Sequence, residues 1–170
     1  METLKPLKKF LKMEARKSIT DFKFLCHGIR NGTEVLAFQH LLESRKVFFL
    51  GTDLNPWVND FKFGLQHDFQ KRIPKQYGKF NVIYTNSLDQ AQYPKKALEA
   101  MYQDLLIGGV LIIALNEYSG KMGYSDLDPF SCEIEYFPYI YLNWFSRESK
   151  ISFIRDHRYA RRGWIIIRKC

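Results

Sequence analysis

Four apolar runs of five or six residues, at positions 22–26, 47–52, 80–85 and 110–115, are separated by stretches whose apolar residues recur every three or four positions. Runs this short, rich in Phe, Val, Ile and Leu, have the length of strands covered on both faces. The intervening periodic stretches, at 33–42 and 94–106, have the period of helices. Strands alternating with helices demand right-handed crossovers and a parallel sheet with helices on both faces. The longest apolar run, Val110 to Leu115, is six residues, far below the roughly 18 that a membrane-spanning helix needs.

The flanks extend this frame. Leu4, Leu7, Phe10, Leu11, Ala15 and Ile19 follow helical spacing and predict a leading amphipathic helix within residues 1–20. Asn31 and Glu34 stand as a capping box that starts the helix over 33–42 at about Gly32, and Pro56 opens a short helix. A short strand is expected over 65–69, and Gly108 and Gly109 are expected to end the helix over 94–106. Residues 116–150 are irregular and aromatic, with a short helix expected near Ser131. The runs at 151–155 and 163–168 are close enough to form an antiparallel pair at the sheet edge. At 170 residues the chain has the length of one domain. Its expected parts are the helix of 1–20, a ligand-binding core over 22–115, a substrate-side segment over 116–150 and a strand pair over 151–170.

The formal charge is +8, but residues 1–20 and 155–170 together carry +9 and the body between them carries −1. Basic termini on a neutral body suit an anionic partner, nucleic acid or a membrane surface, and equally suit solvated faces. Cys26, Cys132 and Cys170 have neither disulfide nor zinc-ligand spacing, so no metal site is expected. A reducing, cytoplasmic location follows as the expectation.

In an open parallel sheet, ligands bind beyond the carboxyl ends of the strands. Those ends carry His27 to Gly32, then Asp53 and Leu54, then Asp68 and Phe69, then Asn86, Ser87 and Asp89. Gly28 and Gly32 allow close approach to the backbone ahead of a helix N-terminus. Asp53 stands where a carboxylate accepts hydrogen bonds from a ribose diol, which favours an adenosine-type ligand. Asp68 is placed to accept from an exocyclic amine, or to close a turn.

Three stretches carry a resemblance to a known family. Residues 24–34 (FLCHGIRNGTE), 50–56 (LGTDLNP) and 66–69 (QHDF) resemble the first motif, ribose-binding strand and adenine loop of the class I, Rossmann-like methyltransferases that use S-adenosylmethionine. More specific are residues 80–89 (FNVIYTNSLD), then Pro94, Ala97 and Leu98, then 106–113 (LIGGVLII), which are similar to that family's fourth strand, helix and fifth strand. The resemblance implies a single three-layer α/β sandwich, a mostly parallel seven-stranded sheet with an antiparallel C-terminal strand. It further implies an S-adenosylmethionine-dependent methyltransferase releasing S-adenosylhomocysteine. The implied cofactor contacts are Cys26, His27, Gly28, Ile29, Arg30, Asn31, Gly32, Asp53, Leu54, Asp68, Phe69, Asn86 and Ser87.

The first motif departs from the family. Cys26 and His27 stand where the family has an acidic residue, and Gly28-Ile29-Arg30 replaces its G-x-G turn. The cofactor's ammonium group then falls to Glu34 or a backbone carbonyl, or is held more weakly. Methyl transfer needs alignment more than acid–base chemistry, so no catalytic residue is fixed. Asp89 and His27 are the candidates should the acceptor lose a proton, with His67 behind them. No N-P-P-Y signature follows the fourth strand, so DNA adenine methylation is not implied and the acceptor is open. The competing reading is a non-catalytic binding module on the same fold, associating with nucleic acid through the basic termini. A nicotinamide-dependent oxidoreductase is disfavoured by the missing G-x-G-x-x-G.

Overall fold

The apolar runs do pair into one sheet in the computed structural model, which describes residues 5–17, 21–116, 129, 130, 132, 135–145, 149–155 and 162–170. Its strands are β1 (Phe22–His27), β2 (Val47–Asp53), β3 (Gly64–Gln66), β4 (Phe80–Thr85), β5 (Leu105–Asn116), β6 (Ser149–Arg155) and β7 (Arg162–Lys169). They lie in the order β3-β2-β1-β4-β5-β7-β6. The first five pair in parallel, and β7 runs antiparallel to both β5 and β6. This is the expected Rossmann-like α/β sheet with its antiparallel C-terminal strand. After β1 the chain builds outward to β3, then returns to the other side of β1 for β4. The sheet therefore reverses direction of growth between β1 and β4, and a crevice opens at their carboxyl ends.

Alternation along β1 shows why both faces are covered. Phe22, Phe24 and Cys26 join one core with α1 (Lys5–Lys17) and α2 (Thr33–Leu41), whereas Leu25 joins the other with α3 (Pro94–Asp104) and α4 (Phe137–Trp144). Phe24 is fully buried with its ring 4.8 Å from Phe38 of α2. Each such ring contributes about 1.5–3 kcal/mol by leaving water. From α1, Leu7, Leu11 and Ala15 are buried, as helical spacing requires. Leu4 and Ile19 lie outside the described residues.

Several local expectations shift. The helix α3 ends at Asp104, before Gly108 and Gly109, and both glycines belong to β5. The buried Asp104 carboxylate accepts hydrogen bonds from the Arg72 guanidinium and from Ile73 N–H (2.9 Å), and Lys169 Nζ donates to the carbonyls of Tyr102 and Leu105. The Lys169 bonds cap the helix carbonyls, two residues earlier than expected. Residues 106–109 then bulge out of the β4–β5 pairing, between the pairs Phe80 with Leu105 and Val82 with Val110. The short third strand is Gly64–Gln66, so Asp68 and Phe69 follow it rather than lie within it. Between β2 and β4 only single helical turns occur, Pro56–Asp60 and Lys75–Tyr77. Ser131 lies outside the described residues, and the helix of the aromatic segment is Phe137–Trp144.

Candidate active site

The turn after β1 is the centre of the site, and its shape follows from two glycines and one residue that is not glycine. Gly28 has φ 71° and its N–H donates to the Thr52 carbonyl at 2.8 Å. A Cβ at Gly28 would lie 2.1 Å from Ser87 Oγ, so the turns after β1 and β4 touch through bare backbone. Ile29 buries its side chain in the α2-side core. Arg30 then adopts φ 46°, a left-handed conformation that costs an L-residue about 1 kcal/mol or more. Its backbone N–H donates to Asp53 Oδ2 at 2.9 Å, while Asn55 N–H donates to Asp53 Oδ1 at 3.0 Å. Asp53 is thereby pinned from both sides at the carboxyl end of β2. Each oxygen keeps a lone pair for a further donor.

The expected capping box does not form. The N-cap is Gly32, with φ 75° and no side-chain cap; Asn31 Oδ1 instead accepts from Thr33 N–H and Oγ1. Glu34 is drawn away toward β4, where its Oε1 accepts from Asn86 Nδ2 at 2.8 Å and Tyr84 OH at 3.3 Å. Ser87 Oγ in turn donates to Asn86 Oδ1 at 2.9 Å. Gly28, Ser87, Asn86 and Glu34 thus form one arc across the crevice. Burial pushes the Glu34 carboxyl above its ordinary value, against the pull of the Tyr84 hydrogen bond and of Arg30.

Beside Asp53 opens a cleft of about 600 Å³, within the size range of small-molecule sites. Arg30, Asn31 and Asn55 line it with Asp53, and Trp57, Asp60 and Phe61 complete the wall. Trp57 is 66% exposed. Phe61 stacks on Phe63 at 5.4 Å, and both rings support Gly32.

The remaining candidates sit apart from this cleft. Cys26 is fully buried in the sheet core, and burial raises its thiol well above the ordinary value. His27 is also buried, with Nδ1 2.6 Å from Thr52 Oγ1, and desolvation, reinforced by His67, lowers it to about 3. A neutral imidazole without solvent contact is a poor proton carrier. Phe69 packs 5.9 Å from the His27 ring. Asp68 Oδ1 accepts from Gln70 N–H and Nε2, the local turn closure that its position also allowed. Leu54 is exposed and its carbonyl accepts from Gln66 Nε2. Asp89 Oδ1 accepts from Gln90 N–H, and its carbonyl accepts from Phe130 N–H.

Sequence reasoning did not assign Asn55, Trp57, Asp60 or Phe61 to the site. Pro56 at the start of a helical turn was the visible signal that the chain after Asp53 folds back over the strand end. It also missed Tyr84 as a partner of Glu34, a contact between residues 50 positions apart. Among the described residues no group of three His, Cys, Asp or Glu side chains could hold a metal, and no helix is long and apolar enough to cross a membrane. Of the basic C-terminus, Arg168 is committed to a two-pronged pair with Glu14 of α1, at 2.7 and 3.1 Å.

No protein-family model matches the sequence, and no curated protein matches it. Solved structures do match in fold. The CMeT domain of the citrinin polyketide synthase superposes with a TM-score of 0.70 at 13% identity, over 95% of this chain and 50% of that one. LepI in complex with SAM gives 0.72 at 9% identity, over 94% and 46%. A SAM-dependent methyltransferase from Aquifex aeolicus gives 0.63 at 17% identity, over 96% and 89%. This chain spans about half the length of the first two. The fold is the class I methyltransferase fold.

Proposed function

We propose that this protein binds S-adenosylmethionine at the carboxyl ends of β1, β2 and β4 and transfers its methyl group to an acceptor. The observation that carries the reading is Asp53, a carboxylate immobilised by two backbone N–H groups in a cleft between the turns that follow β1 and β2, next to the β1–β4 point where the sheet reverses its growth. The donor set fits an adenosine-type cofactor. Asp53 is placed to accept the ribose hydroxyls, and Trp57 offers an exposed aromatic face to the base. Glu34, held by Asn86 and Tyr84, has no cation bonded to it among the described residues and suits the cofactor's ammonium. When bound, the cofactor supplies an electrophilic methyl carbon on a sulfonium. The protein's contribution is alignment, through a turn held by Asp53 and a β4 loop held against Gly28. Similarity of fold to SAM-dependent methyltransferases supports this assignment. S-adenosylhomocysteine is then the product.

The acceptor lies toward the segment over 116–150: Phe137 and Tyr141 of α4 are core, while Tyr139 of α4 and Tyr136 just before it are exposed. One observation favours a second reading, a binding module without catalysis. His27 is buried and neutral, and no acid follows β1, so an acceptor that must lose a proton finds no base there. Arg168, paired with Glu14, is not free for a nucleic-acid contact.

Calorimetric titration of the protein with S-adenosylmethionine, S-adenosylhomocysteine and NAD tests the reading. Saturable micromolar binding of the first two is expected, weakened at least about tenfold in Asp53→Asn. Asparagine keeps one acceptor for the turn, whereas alanine would strip both backbone bonds. Binding of NAD, or of none of the three, contradicts the assignment.

A further inference from the structure

We propose that Arg30 is the specificity-determining residue for the amino-acid end of the cofactor, reading its carboxylate. The inference rests on the cofactor assignment above and concerns a residue whose side chain the fold does not use. The turn needs only the backbone of residue 30: its N–H bonds Asp53, and its φ of 46° is one that glycine adopts without strain. Arginine bears that strain, and among the described residues its guanidinium has no hydrogen-bond or ion-pair partner. Strained residues cluster at ligand sites, and this one has a side chain that the fold leaves idle.

The cleft shows what it contacts. Arg30 lines it with Asp53, Trp57 and Asp60, and its charge reaches Glu34. Asp53 and Asp60 line the cleft with the one guanidinium, and Glu34 lies outside that lining but within its field, so a doubly charged phosphate would face like charges. A zwitterionic α-amino-acid group meets both signs at once, its carboxylate on Arg30 and its ammonium toward Glu34. One carboxylate also matches the planar fork of a single guanidinium.

The test compares S-adenosylhomocysteine with 5′-methylthioadenosine, which keeps the nucleoside and sulfur but lacks the amino-acid end, on the full chain, read by Trp57 fluorescence and calorimetry. Wild type is expected to prefer S-adenosylhomocysteine by at least about tenfold. Arg30→Gly is expected to erase that preference by weakening S-adenosylhomocysteine at least about tenfold more than 5′-methylthioadenosine, and to leave the melting temperature equal or higher because strain is relieved. Arg30→Lys should recover part of the preference. Retention of the full preference in Arg30→Gly overturns the proposal, as does equal loss of both ligands. Wild type binding the two ligands alike overturns the role of Arg30 and leaves the cofactor assignment standing. Binding of neither overturns both.

Discussion

The two ends of the parallel strands treat charge in opposite ways. At the amino end, cations and anions are closed on each other or on carbonyls: Asp104 with Arg72, Glu14 with Arg168, Lys23 on the Tyr77 carbonyl, Lys169 on those of Tyr102 and Leu105. At the carboxyl end, Asp53 and Glu34 are held by neutral donors, Arg30 is held by its backbone, and none is paired with an opposite charge within bonding distance. The first arrangement stabilises; the second leaves charge available to a ligand at some cost in stability. Substitutions at the amino end should therefore change folding and leave binding alone, and those at the carboxyl end should do the reverse.

The largest expected effect puts a limit on that rule, because His27 at the carboxyl end is a burden in acid. Its folded value of about 3 lies below the ordinary 6.5, so the unfolded chain takes up a proton that the native state refuses. Stability is full above about pH 6.5 and falls on the order of 4 kcal/mol as pH drops toward 3. Urea unfolding between pH 7 and pH 4 should show this loss, and His27→Gln should flatten it. An imidazole that titrates near 6.5 by NMR would remove the explanation.

Next in size is Asp104→Ala. It strands the buried Ile73 N–H and frees Arg72, and should cost about 2–3 kcal/mol in denaturant unfolding with cofactor affinity unchanged. Glu14→Gln should cost about 1–2 kcal/mol. Burial works to raise the Glu14 carboxyl, but the Arg168 and Lys17 hydrogen bonds outweigh it and hold the group below its ordinary 4.5. Its stabilisation is present above that value and disappears as pH falls through the folded one, so the variant should lose less on acidification than wild type. The smallest effect has the opposite sign. Glu34, pushed upward chiefly by burial, contributes most below its ordinary value and loses that contribution as pH rises through the folded one. Glu34→Gln should thus gain a fraction of a kcal/mol at pH 7 while weakening S-adenosylhomocysteine. A loss of stability instead would mean that its bonds to Asn86 and Tyr84 are structural.

The sheet was legible because its signal is local: each buried run is short, apolar and followed by a turn. Residues 80–85 and 110–115 needed no partner to be recognised as strands. What escaped depends on distance along the chain. Glu34 looked like a capping residue because Asn31 stands three positions before it, but Asn86 claims its carboxylate from 52 positions away. The end of α3 moved because Lys169, remote in sequence, takes its last carbonyls, while Arg72 anchors the Asp104 side chain. Helix α4 was hidden by aromatic residues on all sides, which obscure a helical period. The placement of Asp53 and Gly28 at the strand ends was readable from the sequence, whereas the left-handed backbone of Arg30 leaves no mark in composition.

The contrast between the two ends predicts where a ligand must be felt. Amide NMR spectra of the full chain, titrated with S-adenosylhomocysteine, should show saturable shifts at residues 28–34, 53–57 and 86–87 and none at Lys23, Asp104 or Arg168. Shifts concentrated at the amino end of the strands, or no saturable shifts at all, would contradict the placement of a cofactor site at Asp53.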